Sequence, residues 1–258
     1  MGSSSWTRSS ADFGVCAQHL VKTLSFSSQE IRTNGVSGAA WHSFVRRREF
    51  EMVATCFPRG TFFDEALELG AGDGGQSEVI APYCRHLTCT ELLANNEAVG
   101  RFQARNLPNV SYELCDARDL SRFADRSFDF IFSSNMLEHV EGVGRCLGEC
   151  RRVLRNGGIM VHTMPSRVWK IWNSAVSLGL RRVKPPIHGT SRSHLAEFRD
   201  FGVARWQREF ASCGFKVYRM VGLPFYFGHG PRPQKLLLAG NKLGWKSSVA
   251  YFCRPDAS

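Results

Sequence analysis

The sequence predicts an α/β fold in which helices cover both faces of a doubly wound, mostly parallel seven-stranded sheet. Three observations predict it. Strand-like and helix-like runs alternate from residue 61 onward, the pattern of βα units that build a parallel sheet. A glycine-rich stretch, Gly70-Ala71-Gly72-Asp73-Gly74-Gly75, follows directly on the first apolar run, where a strand would turn into a helix. Acidic residues close the next two strand-like runs: Glu91 after His86–Thr90, and Asp116 after Val110–Cys115.

The elements follow in order. Residues 1 to about 34 are Ser-rich and weakly patterned, and are expected to be partly mobile. Ser37 to Phe57, with apolar Trp41, Phe44, Val45, Met52 and Val53, reads as a helix leading through Pro58-Arg59-Gly60 into the first strand, Phe62 to Leu67. A helix from Gln76, a strand near Leu87, a helix from Ala94 to Asn106 and a strand near Val110 come next. They precede the strand Phe128–Phe132, a helix near Gly144–Leu154 and the strand Gly158–Thr163. After Pro165 the alternation breaks. Ser166–Phe198 carries Trp169, Trp172, Pro185-Pro186 and His188-Gly189, too long for an ordinary connection and so read as a binding element or lid. A helix Asp200–Ser212 and the strand Phe215–Val221 resume the core. A second excursion, Leu223–Trp245, with Phe225-Tyr226-Phe227, precedes the last strand, Ser248–Cys253. The expected organisation is therefore residues 1–60 as an N-terminal segment with a helical cap, and 61–258 as the core, with insertions at about 165–198 and 223–245.

Composition bounds the function. With 258 residues and 43% hydrophobic content, the chain can bury a full core. No apolar run approaches the 18 or so residues of a membrane span, and the N-terminus lacks a signal-peptide pattern, so a cytoplasmic enzyme is expected. Nine cysteines are scattered without a C-x-x-C pair and read as small buried hydrophobes. The net charge of +10 is concentrated in clusters such as Arg46-Arg47-Arg48, Arg151-Arg152 and Arg181-Arg182-Val183-Lys184. Arg151 and Arg152 read as a solvated helix face, whereas Arg46 and Arg182 lie outside the core motifs and suit an anionic ligand.

The glycine stretch alone is ambiguous, because Gly70, Gly72 and Gly75 also satisfy the G-x-G-x-x-G spacing of dinucleotide sites. Glu91, 21 positions after Gly70, can accept from ribose hydroxyls in either case. Glu68, two residues before the first glycine, is unhelpful beside a pyrophosphate and useful beside a cationic sulfonium. Asp116 could accept from an adenine amino group.

With ELGAGDGG at Glu68–Gly75, TEL at Thr90–Leu92, CDARDL at Cys115–Leu120, FDFIFSSNMLEHV at Phe128–Val140 and LRNGGIMVHTMPS at Leu154–Ser166, the chain resembles the class I S-adenosylmethionine-dependent methyltransferases, in particular the type 11 group. The resemblance covers about Phe62 to Phe215 and implies a Rossmann-like domain that uses S-adenosyl-L-methionine. It implies that Gly70, Gly72 and Gly74 line the methionine portion, Glu91 the ribose, and Asp116 with Ala117 the adenine; Glu68, Leu92 and Ser133 join them as candidate cofactor-binding residues. Trp169 and Tyr226 join Arg46 and Arg182 as candidate acceptor-binding residues. A hydroxyl acceptor benefits from a base, for which His139 is the first candidate and His188 and His194 the others; His162 ends the fifth strand. Some quinone-pathway O-methyltransferases carry Glu-x-x-Glu-His here and bind a divalent ion; Asn135 stands where the first Glu would be, so no metal is expected.

Nucleic-acid amino-methylating enzymes usually show a D/N-P-P-Y/F tetrapeptide where this chain has Ser133-Ser134-Asn135-Met136, so nucleic acid is not the expected acceptor. The expected reaction is O-methylation of a small anionic, sugar-containing or natural-product molecule. Methylation of RNA or protein, and a catalytically silent binding subunit of the same fold, stand as alternatives. The oligomeric state is open.

Overall fold

The structure of the chain, a computed structural model, describes residues 38–179, 187–223 and 246–256; the side chains of residues 38–42 and 176 fall outside that description. Arg182 and Tyr226, both expected to bind the acceptor, lie outside the described residues, as does the segment 1–34.

Helix α1 (Gly38–Ala54) leads into strand β1 (Phe63–Leu69). A short helix α2 (Ser77–Ile80), strand β2 (Cys84–Glu91), helix α3 (Asn96–Ala104) and strand β3 (Val110–Leu114) complete the first half. The second half holds β4 (Phe128–Ser134), α4 (Val143–Val153), β5 (Leu154–Pro165), α5 (Arg167–Gly179), α6 (His194–Asp200), α7 (Val203–Ser212), β6 (Phe215–Gly222) and β7 (Ser248–Pro255). The seven strands form one sheet in the order β3-β2-β1-β4-β5-β7-β6. β1 to β5 pair in parallel, whereas β7 runs antiparallel to both β5 and β6. β1 and β4 thus sit where the strand order reverses, the place where open α/β sheets bind ligands beyond the carboxyl ends of their strands.

The sheet is buried on both faces, and the alternation of side chains along each strand divides two cores. Ala66, Phe130, Phe132 and Phe252 point to one side with Phe50 and Val53 of α1, Ile80 of α2 and Phe102 of α3. Leu67, Ile131, Tyr251 and Cys253 point to the other with Leu147 and Cys150 of α4 and Trp206 and Phe210 of α7. α4 buries Val143, Cys146, Leu147, Cys150 and Val153, the i, i+3, i+4, i+7 stripe of a helix laid on a sheet. Arg152 is no solvated bystander: it donates to Glu149, Asp125 and the carbonyls of Leu120 and Phe123, tying α4 to the approach to β4.

Two elements differ from the sequence expectation. The stretch after Pro165 contains α5 at once, and α6 begins at His194, inside what reads as an insertion. Cap chemistry explains the latter: Ser193, in extended backbone, accepts from the amide of Ala196 at 3.1 Å and so starts a helix. α1 meets its expected span and docks firmly. Phe50 lies edge-on to Phe132 at 5.1 Å between centroids, and burying such a ring contributes about 1.5–3 kcal/mol.

Candidate active site

The loop after β1 is shaped by backbone that L-residues resist. Gly70, Gly72 and Gly74 all have positive φ, at 70°, 57° and 73°. They are not equivalent. A Cβ on Gly70 would come within 2.8 Å of Met136, and one on Gly74 within 2.6 Å of Phe102, whereas one on Gly72 would meet nothing within 4 Å. Two glycines are thus demanded by the protein's own packing, and Gly72 faces open space into which its backbone can present a ligand. Glu91 ends β2 beside that space: its carboxylate accepts from the amides of Gly72 at 2.9 Å and Leu92 at 3.0 Å. Asn95 donates to the Gly72 carbonyl at 2.8 Å and caps α3, a role the sequence reading missed although Asn ahead of Glu97 is a cap signal. Open backbone at a strand end, with a half-buried carboxylate alongside, fits a nucleoside with free ribose hydroxyls.

The other expected cofactor residues divide. Glu68 is wholly buried beneath the loop, accepting from Ser77 Oγ and Cys89 Sγ, and burial pushes its carboxyl up to about 7. Its carboxylate faces Ser77 and Cys89 and is buried away from solvent. Leu92 is 60% exposed at the rim. Asp116 accepts from the amide and guanidinium of Arg118, which holds its carboxyl below the usual range, and Ala117 packs on the second core. Ser133 does not face the cleft: its side chain is fully buried against Nδ1 of His162. That His162 is stacked on Phe210 and kept neutral by burial, which lowers it to about 3.

Next to the glycine loop, Met136 packs on Gly70 and leads into a single 3-10 turn, Leu137–His139. This turn and the post-α5 segment bring together residues 49 positions apart. His139 Nε2 lies 3.2 Å from His188 Nε2, and His188 Nε2 lies 3.5 Å from Glu138 Oε1. Glu138 is 5% exposed, and neither of its oxygens receives a hydrogen bond among the described residues. The His139 ring is held below its ordinary pKa chiefly by burial. Trp169 of α5 lies edge-on to His188 at 5.4 Å and near Phe201 at 6.1 Å, so it positions the imidazole. His194 is not part of this group; it lies 3.6 Å from Glu197, a fully buried carboxylate that also pairs with Lys170.

α1 supplies Arg46 to the same end of the sheet. Its guanidinium pairs with buried Glu49 at 2.6 Å, and with the Asn135 amide turned so that its oxygen faces α1, that oxygen accepts from Nη1 and, at 3.2 Å, from Nη2. Gln76 donates to the Arg46 carbonyl at 2.8 Å and Arg47 pairs with Glu78, fastening α1 to the start of α2. Asn135 and Glu138 were not singled out by sequence reasoning as site members. Nothing in their local pattern announces partners 89 positions before and 50 positions after.

Residues 67–162 match the family model described as a methyltransferase domain. A probable S-adenosylmethionine-dependent methyltransferase of Mycobacterium tuberculosis is 30% identical over 122 residues, 47% of this chain and 43% of that protein. A ubiquinone biosynthesis O-methyltransferase of Bradyrhizobium is 27% identical over 43% of each. A solved S-adenosylmethionine-dependent methyltransferase from Mesorhizobium loti superposes with a TM-score of 0.55 at 17% identity, covering 80% of this chain and 97% of that one. The matched segments span less than half the length of the two curated relatives. The strand order is that of the solved methyltransferase fold, and over residues 67–162 the chain is similar to a methyltransferase domain whose curated relatives include an S-adenosylmethionine-dependent enzyme. No helix among the described residues is long and apolar enough to cross a membrane.

Proposed function

We propose that this protein methylates a hydroxyl oxygen of a small acceptor that also carries an anionic group. The observation that carries the reading is convergence. The loop at Gly72, the His139–His188 pair and the Arg46 guanidinium all gather at the carboxyl ends of β1 and β4. When bound, S-adenosylmethionine supplies a methyl group on a sulfonium, with a neutral thioether as leaving group. The chain's own residues do the rest. The open backbone at Gly72 and the Glu91 carboxylate hold the nucleoside, Arg46 holds the acceptor's anion, and the proton of the acceptor hydroxyl leaves at the His139–His188 cluster. The name of the Bradyrhizobium relative, an O-methyltransferase, supports an oxygen acceptor.

The test has two readouts. Calorimetry should detect S-adenosylmethionine binding by the native chain and lose it in Gly72→Arg. With an acceptor found by screening hydroxylated carboxylates and phosphates for label transfer, His139→Gln should keep cofactor affinity and lower kcat by about 100-fold or more. A folded native chain that binds no cofactor would overturn the reading.

A further inference from the structure

We infer that Glu138, His139 and His188 form a binding site for a divalent transition-metal ion, most suited to Mn²⁺, Fe²⁺ or Zn²⁺. The inference rests on the reading above, in that the same three residues are where the acceptor hydroxyl is expected to lie. It runs against the sequence expectation of no metal, which considered Asn135 and could not see His188 arrive from 49 residues away.

Four observations carry it. The ligating atoms of the three side chains all lie within 4.8 Å of one another. Two nitrogens bound to one ion at about 2.1 Å stand roughly 3.0–3.4 Å apart, between octahedral and tetrahedral geometry; the two Nε2 atoms are already 3.2 Å apart. Among the described residues the buried Glu138 carboxylate accepts no hydrogen bond, and the His188 ring nitrogen, at 3.5 Å, is too far for a good one. A buried carboxylate without donors is costly, and a cation at this point removes the cost. Among the described residues, the polar contacts of the nearby Arg46 guanidinium go to Glu49 and the Asn135 oxygen, and neither contact reaches Glu138.

The third ligand is also held in place. The amide of Thr190 donates to the Glu138 carbonyl at 3.0 Å, which ties the His188 segment down across the 3-10 turn. The residue between them is Gly189, at φ 73°, where a Cβ would sit 2.5 Å from that same carbonyl oxygen. Only glycine lets the two segments approach this closely, and with the Trp169 ring against the imidazole it keeps His188 aimed at the pair. His188-Gly189 lies outside residues 67–162, the segment matched by the family model. Two imidazoles and one carboxylate suit Mn²⁺, Fe²⁺ or Zn²⁺ better than Mg²⁺, which prefers oxygen ligands throughout. Such an ion would occupy the Nε2 lone pairs of both rings and lower the pKa of an oxygen laid against it, so that with the ion bound the acceptor's proton would pass to water and not to either imidazole.

The full chain, stripped with chelator and dialysed, should be titrated with Mn²⁺ while the free-ion paramagnetic resonance signal is followed, because Mn²⁺ avoids the cysteines. One ion per chain should bind, with Mg²⁺ competing poorly. Glu138→Gln and, separately, His188→Asn should each weaken binding at least tenfold, and Asn135→Ala should change it less than threefold. Mn²⁺ should also raise the native melting temperature and leave that of His188→Asn unmoved. Absence of saturable Mn²⁺ binding, or binding indifferent to both ligand variants, overturns the metal site and leaves the two rings as a hydrogen-bonded pair. Cofactor calorimetry on the same samples keeps the two failures apart, since the methyltransferase reading falls only if S-adenosylmethionine itself does not bind.

Discussion

At the scale of single residues, the glycines of the β1 loop answer to different constraints, and substitution should separate them. Gly74→Ala meets both a positive φ and the Phe102 ring, so it should destabilise the fold by about 2–4 kcal/mol, read as a fall in melting temperature. Gly72→Arg carries only the backbone strain, about 1–2 kcal/mol, and should give a folded protein that binds no cofactor. Glu68 makes a pH-dependent prediction. Below its ordinary 4.5 both folded and unfolded chains hold the proton and the group contributes nothing. As pH rises toward about 7 the folded chain keeps a proton that the unfolded chain has released, so stability falls, by up to about 3 kcal/mol once pH exceeds 7. Glu68→Gln should therefore gain stability over the native protein progressively from pH 5 to pH 8, and an offset that stays constant across that range would contradict it. The glycine pattern, Glu91 and Asp116 were legible because they are local. What Glu68 touches was not, since Ser77 and Cys89 meet it only once β1 and β2 are paired.

At the scale of elements, α5 and α6 flank the segment that carries His188, and a buried ion pair locks them together. Lys170 pairs with Glu197, which has no exposed surface. Lys170→Met should leave that carboxylate uncompensated and cost about 3–5 kcal/mol, while Lys170→Met combined with Glu197→Leu should recover most of it in chemical denaturation. Arg46 is similarly double-edged. Arg46→Gln should raise the acceptor's KM, an effect that shrinks with salt, but it also strips the partner from buried Glu49. Arg46→Lys, which keeps the charge on Glu49, should restore stability ahead of KM. The break after Pro165 reads in the sequence as a departure from the βα rhythm, and three helices stand there between β5 and β6. α5 and α6 were not legible, because Trp169 and Trp172 read as a binding element, and only the Ser193 cap marks where α6 starts.

At the scale of the whole molecule, the two-faced sheet was legible from alternation alone, while the position of β7 was not, for strand order depends on which edges remain unpaired when the last strand arrives. α1 belongs to that whole as much as any core helix: Phe50→Ala should cost about 3–5 kcal/mol in thermal unfolding, because Phe50 fills the space between Tyr83 and Phe132. The place of β7 bears on how the protein is made. Its pairing partners β5 and β6 are both synthesised before it, and β7 separates them in the finished sheet. Until residues 248–255 emerge, the nascent chain carries a buried-type strand with a bare edge at β5 and a strand at β6 with no neighbour, the kind of exposed ladder on which chains stick to one another. The final strand is therefore the step that converts an association-prone intermediate into a closed sheet, and slowing its arrival endangers yield before it endangers catalysis.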